Sequence, residues 1–322
     1  MENNRKKDVP VLLIFFNRPD TFERVFEAVR KARPSRLYLA QDGPRENNAE
    51  DAADAEKCRQ IAENIDWECD VRKKYSDVNL GCGRGPESAI SWAFETTDRL
   101  IILEDDCVPD LSFFGYCSEL LEKYANDKRI SYISGLNHFE SWDCGGNSYL
   151  FAKSGAIWGW ATWRDEWLQN DFDMCSFDTE YVKKMLKYSI RDRYAYNDRL
   201  LAWKKAFLSQ NTAEKLSYWD MQWGFVKYSQ NKLVIIPEKN LITNIGMGEK
   251  STHFQKIRKS VYKRGKSVAD IPSHSLDLPL IHPKVMICDE GYDGAVYKLL
   301  RPSFVMRLKM LIYKIVKSRR SD

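Results

Sequence analysis

Leu100-Ile101-Ile102-Leu103-Glu104-Asp105-Asp106 runs from four aliphatic residues straight into three carboxylates. A short apolar run bounded by polar residues reads as a buried strand. A buried strand that stops on clustered acids puts negative charge where something positive must answer it. Like charges a few Å apart raise one another's pKa unless a cation intervenes, and hard divalent ions favour all-oxygen sites. In open α/β sheets, ligands collect at the carboxyl ends of strands, which is where these acids fall. The competing reading is a solvated capping turn ahead of a helix near Asp110.

Outward from this junction the chain alternates. Val9 to Phe16 is a second apolar run, broken by Asn17, Arg18, Pro19 and Asp20, and Thr21 to Ala32 has a helical period with Phe22, Val25, Phe26 and Val29 on one face. Arg36 to Ala40 is a short strand closed by Gln41-Asp42-Gly43-Pro44. Asn48 to Ile65 suits an exposed helix, and Trp67 to Tyr75 a strand. Asn79 to Pro86 is a glycine-rich turn and Glu87 to Thr96 a helix leading back to Leu100. Strand alternating with helix predicts an α/β fold with a mainly parallel sheet flanked by helices. Beyond Asp106 the pattern predicts a helix over Phe113 to Tyr124, a strand near Ile130 to Ile133, mostly helix from Asp178 to Gln230, and a late strand at Leu233 to Ile236. No period of 20 to 50 residues recurs, so a solenoid is excluded.

The composition is that of a globular protein: 322 residues, 43% hydrophobic and 30% charged. No apolar run approaches the ~18 residues of a membrane span, and the polar N-terminus, Met1 to Asp8, has no secretory apolar stretch. These features predict a cytoplasmic protein. Eight cysteines without a CxxC pair or zinc-like spacing are expected to be reduced thiols. The net charge is +4, but Lys298 to Asp322 carries eight Lys or Arg and one acid, a local +7 that leaves −3 for everything before it. That balance argues against a nucleic-acid-binding body.

Three strand ends carry polar residues: Asn17 and Arg18, Asp42, and the acidic triplet. Converging on one sheet edge, they could hold a nucleotide. Asp42 would accept from a base or ribose, Arg18 would face anionic or ring groups, and the triplet would meet phosphates through a metal. Gly81, Gly83 and Gly85 could let backbone approach a diphosphate with Arg84 as charge partner, or could simply form a flexible turn before Pro86. Gly155-Ala-Ile-Trp-Gly-Trp-Ala-Thr-Trp sets tryptophans between small residues. Trp158 and Trp160, with Trp219, could wall a sugar site, although a core cluster is the commoner fate of tryptophan. Asp220 opens a helix, where an Asp is most often a cap. Between Trp219 and Trp223 it could instead be a partly desolvated base for a hydroxyl. His253 could ligate metal, touch phosphate, or lie in an exposed loop. In the tail, Phe304, Leu308, Leu311, Ile312 and Ile315 alternate with basic residues. That pattern suits either an interfacial helix on anionic lipid or a helix packed on the domain.

Taken in order, the strand-end set, the acidic triplet, the tryptophan block and Trp219-Asp220 resemble the GT-A glycosyltransferases. The likeness runs over roughly residues 9 to 255 and is closest to inverting enzymes of the N-acetylglucosaminyltransferase I type and their bacterial relatives. It implies a GT-A catalytic domain over 1–260, with a nucleotide-sugar half at 9–107 and an acceptor half at 108–260, and a helical, basic C-terminal extension at 261–322. It also implies that Arg18 and Asp42 bind uridine and that Glu104 and Asp105 tune the donor site. By the same likeness Asp106 is the direct ligand of Mn2+ (or Mg2+), and Trp219-Asp220 and Thr252-His253 match a Trp-Asp pair and a Ser-His loop. The expected reaction is metal-dependent, inverting transfer from a UDP-sugar, UDP-GlcNAc among the candidates, to a glycan or lipid-linked glycan acceptor of a bacterial surface polymer, with peripheral membrane contact through the tail. A sugar nucleotidyltransferase and a non-catalytic glycan-binding protein are the alternatives. One departure stands out: the family has two adjacent aspartates where this chain has Asp220 and Met221.

Overall fold

The computed structural model describes residues 8–177, 179–209, 219–246 and 271–301. The acidic junction sits in the middle of an eight-stranded sheet. Its strands are β1 (Val11–Phe15), β2 (Arg36–Gln41), β3 (Asp70–Tyr75), β4 (Arg99–Glu104), β6 (Ile130–Ser134), β7 (Tyr149–Ala152), β8 (Trp160–Trp163) and β9 (Leu233–Pro237), in the order β3-β2-β1-β4-β8-β6-β9-β7. β1 to β4 pair in parallel, β8 lies antiparallel between β4 and β6, β9 is parallel to β6, and β7 closes the edge antiparallel to β9. Six strands therefore run one way and two the other, which makes this the mainly parallel α/β sheet expected from the alternation. A two-stranded ribbon, β5 (Cys107–Pro109) with β10 (Ile242–Asn244), hangs from the end of β4.

Alternate strand residues face opposite sides of a sheet, and the two sides are filled differently. One side, with Leu13, Phe15, Leu39, Ile101 and Leu103, is covered by α1 (Pro19–Ala32), α2 (Ala49–Ala62) and α4 (Ser112–Lys123). The other, with Leu12, Tyr38, Leu100 and Ile102, takes α3 (Gly81–Phe94), α5 (Arg164–Trp167), α8 (Asp220–Ser229) and α9 (Glu290–Leu300). A third cluster joins α6 (Glu180–Ser189), α7 (Arg193–Ser209) and α8.

Three expectations change. Helix α3 begins at Gly81, not after Pro86, because Gly83 and Gly85 accept helical backbone and Pro86 is carried inside the helix. Trp160 is not a surface wall: it belongs to β8, is 1% exposed, and packs its ring on Trp219 with centroids 5.7 Å apart. Trp219 itself is 4% exposed, and Trp167 and Trp223 complete the cluster. Finally, residues on the far side of the 260/261 boundary return to the body. Leu276 and Leu280 enter the first core, Tyr292 and Val296 the second, and Asp289 N–H donates to the Phe151 carbonyl at 2.7 Å. The hydrophobic tail residues from Phe304 onward lie outside the described residues. Among the described residues no helix is long and apolar enough to cross a membrane.

Candidate functional site

The strand register decides what meets at the sheet edge. Ile14 pairs with Glu104, Phe15 with Gln41, and Gln41 with Tyr75, so β1 to β4 end nearly level. Their next residues open into a cleft of about 660 Å3 lined by Phe16, Arg18, Asp42, Arg45, Glu104 and Asp105, among others. That size falls in the ordinary range for a small-molecule site.

Arg18 is the cation on which the acids converge. It donates to Asp105 Oδ1, and its Nη1 lies 2.9 Å from Asp106 Oδ2. Asp105 also accepts the Phe16 backbone N–H at 3.2 Å. Burial works against the charge on Arg18, but the two carboxylates outweigh it and hold its proton more tightly than usual. For Asp105 burial is the stronger influence, and its carboxyl group is raised despite the guanidinium. For Glu104 burial, with Asp106 and Asp105 beside it, outweighs the charge of Arg18 and pushes it up to about 8. Three carboxyl groups thus face one guanidinium.

Asp42 takes a different part from the one expected. Its carboxylate accepts the backbone N–H groups of Leu80 and Gly81, both at 2.8 Å, and the Asn79 amide at 3.2 Å. It lines the cleft, yet much of its accepting capacity goes to the start of α3. The glycines serve this junction. Gly81 has φ +78, a left-handed conformation that side chains disfavour, and a Cβ on Gly43 would come within 2.6 Å of the Val78 backbone. Arg84 does not line the cleft. Its guanidinium lies 3.7 Å from the Phe172 ring centre and 3.3 Å from Asp173, on the outer side of α3.

Asp106 leaves β4 into the ribbon. Its Oδ1 accepts the Asn244 amide at 3.2 Å and the Cys107 thiol at 3.3 Å, and its carbonyl accepts the Ile245 N–H at 2.8 Å. Gly246 is pressed so close that any side chain there would overlap the Asp106 carboxylate. Among the described residues no three His, Cys, Asp or Glu side chains form a metal-binding group. A hard divalent ion of the kind held by one or two carboxylates plus substrate phosphates would take Asp106, whose Oδ2 faces Arg18 in this structure. His253 lies outside the described residues.

Asp220, the first residue of α8, does not line the cleft, although its charge reaches it. Its charge raises Glu104, after burial, Asp106 and Asp105 have acted. The Cys82 thiol, raised first by burial, is raised further by Glu104, Asp42 and Asp220 together. Of the three tryptophans expected to form a sugar wall, only Trp158 keeps an appreciable exposed surface. It packs against the first core beside Gly159, whose φ of +61 lets Ile242 and Leu103 close in.

Sequence reading missed several lining residues. Arg45 pairs with Asp51, which also accepts the Asn17 amide at 2.7 Å, and this pairing holds Asp51 below the usual carboxylate range although burial opposes it. Lys74 donates to Ser88 Oγ at 2.8 Å. Nothing in the local sequence marks these positions, since each becomes a neighbour only when β1, α2, β3 and α3 assemble.

No family model matches the chain, and no curated protein matches it. Among solved structures it is similar to HddC from Yersinia pseudotuberculosis, at 10% identity and a TM-score of 0.27, over 45% of this chain and 59% of that one. It is also similar to a UDP-glucose pyrophosphorylase complexed with UDP-glucose, at 9% identity and a TM-score of 0.34, over 72% and 91% of the two chains. The chain thus spans about 59% of the length of that HddC structure. Likeness at this level carries no argument about activity, and the site has to be judged on its own geometry.

Proposed function

We propose that this chain is an enzyme acting on a nucleotide-diphospho-sugar, and that the reaction is glycosyl transfer to an acceptor hydroxyl. The observation that carries the reading is the meeting of Arg18, Asp42, Glu104 and Asp105 in one cleft at the carboxyl ends of the parallel strands β1, β2 and β4. A nucleoside fits the β1–β2 end of the cleft, between Phe16, Asn17 and Arg45. Arg18 holds Asp105 and Asp106 in place and offers its charge to the diphosphate. A divalent ion at Asp106, when bound, supplies further positive charge to the leaving diphosphate. Asp220 takes the proton from the acceptor hydroxyl. Glu104 and Asp105, beside the diphosphate, tune the donor site.

The second reading is sugar nucleotidyl transfer, the chemistry for which the UDP-glucose pyrophosphorylase above is named. The same cleft would serve it, but it has no use for Asp220 on the acceptor side. The products separate the two. Incubation with UDP-sugars, Mn2+ and acceptor mixtures should release UDP; pyrophosphate from UTP and a sugar phosphate would establish the second reading. Asp106→Ala should abolish metal-dependent UDP binding in calorimetry. Asp220→Asn should keep UDP binding and lose turnover by about 100-fold or more, the usual weight of a general base, and undiminished transfer by it would sink the base assignment.

A further inference from the structure

A second charged cluster lies where α7, α8 and α9 meet. On α8, Asp220, Gly224, Lys227 and Tyr228 recur at helical spacing and share one face. The eight-residue step from Asp220 to Tyr228 spans about 12 Å along the axis. Between them Gly224 leaves open space: a Cβ there would meet no heavy atom within 4 Å among the described residues. At the far end Arg199 of α7 stands against two phenol rings, 5.1 Å from the centre of Tyr228 and 5.0 Å from that of Tyr297. Lys227 Nζ lies 4.3 Å from the centre of the Tyr228 ring and donates to the Lys153 carbonyl.

The carboxylates that bear on Arg199, Asp198 and Asp293, act on it through space. Asp293 is already committed to the backbone N–H groups of Lys153 and Ser154, at 3.0 and 2.7 Å. Burial pushes the Tyr228 phenol up, yet Arg199 and Lys227 pull it below its ordinary value.

We infer that the Gly224 face of α8 binds an acceptor carrying a carboxylate or phosphate group, which Arg199 receives while the reacting hydroxyl lies at Asp220. The inference rests on the proposed role of Asp220. A guanidinium is suited to such a group because its planar fork matches two oxygens at once. Gly224 keeps the path between the two ends free of side chains, and the Tyr228 and Tyr297 rings hold Arg199 in position.

The test is calorimetry with Mn2+ and saturating UDP, so that the donor cleft is filled, using glucuronate, glycerol 1-phosphate, glucose and glycerol as probes. Failure of UDP itself to bind would count against the donor reading and is measured first, separately. Glucuronate or glycerol 1-phosphate should bind at least tenfold more tightly than its neutral counterpart, the scale of one charge-assisted hydrogen bond, and whichever does so identifies the carboxylate or the phosphate. Arg199→Gln should erase that preference and leave the UDP Kd unchanged. Gly224→Leu should block the anionic probe while raising helix propensity, so it carries the test should Arg199→Gln fail to fold. Equal binding of charged and neutral probes, or full retention of the preference in a folded variant of either kind, overturns the inference.

Discussion

Arg18 faces Asp105 and Asp106 together, and Asp105 has only 5% of its side chain exposed. Removing one partner of a buried pair leaves an uncompensated group, whereas neutralising both costs far less. Arg18→Ala should therefore destabilise the protein by about 3 kcal/mol in urea unfolding, and adding Asp105→Asn should recover most of that loss. His138 gives a pH signature of its own. Burial, aided by the charge of Arg199, lowers it from 6.5 to about 4, and its Nδ1 lies 3.3 Å from the Tyr292 hydroxyl. The unfolded chain takes up this proton as pH falls through 6.5, while the folded chain resists until about 4. Stability is then fully present above 6.5 and is lost as pH falls toward 4. Thermal unfolding across that window should show a shallower acid decline for His138→Gln than for the parent chain.

At the scale of elements, the tryptophan block is the place where composition misleads. The same residues that could stack on a sugar instead form β8 and its cover, because β8 sits between β4 and β6 and both of its faces are enclosed. Trp160→Ala should cost about 3–5 kcal/mol, as large core truncations do, and leave the UDP Kd within twofold in the folded fraction. The glycine-rich segment shows the reverse. Its loop-like sequence becomes the first turns of α3, and Asp42, from the neighbouring strand end, caps that start. Helix propensity alone places the start later, since two helical glycines and an internal proline all count against it.

Over the whole molecule, the C-terminal stretch is structural as well as basic. Asp289 caps α9 through the Tyr292 N–H at 2.8 Å and accepts the Trp142 indole N–H at 2.9 Å. Tyr292 and Val296 are 0% and 1% exposed within the second core. Truncation after residue 270 should therefore abolish cooperative unfolding, measured by circular dichroism, rather than yield a stable body lacking an appendage. Membrane pelleting of the full chain against one lacking residues 302–322 separately tests the lipid role proposed for the tail.

The layered α/β plan was legible residue by residue, because period-2 and period-3.6 apolar patterns and strand-ending polar residues are local properties. The sequence also singled out Arg18, Asp42 and the acidic triplet, of which Arg18, Asp42, Glu104 and Asp105 line one cleft. What each touches came from the assembly of the sheet. Asp42 serves the start of α3, Arg84 turns to Phe172, Trp160 and Trp219 go into the core, and Arg45, Asp51 and Lys74 join the cleft. Such assignments depend on strand order and register, and the pairing of β8 between β4 and β6 leaves no trace in any short window of sequence.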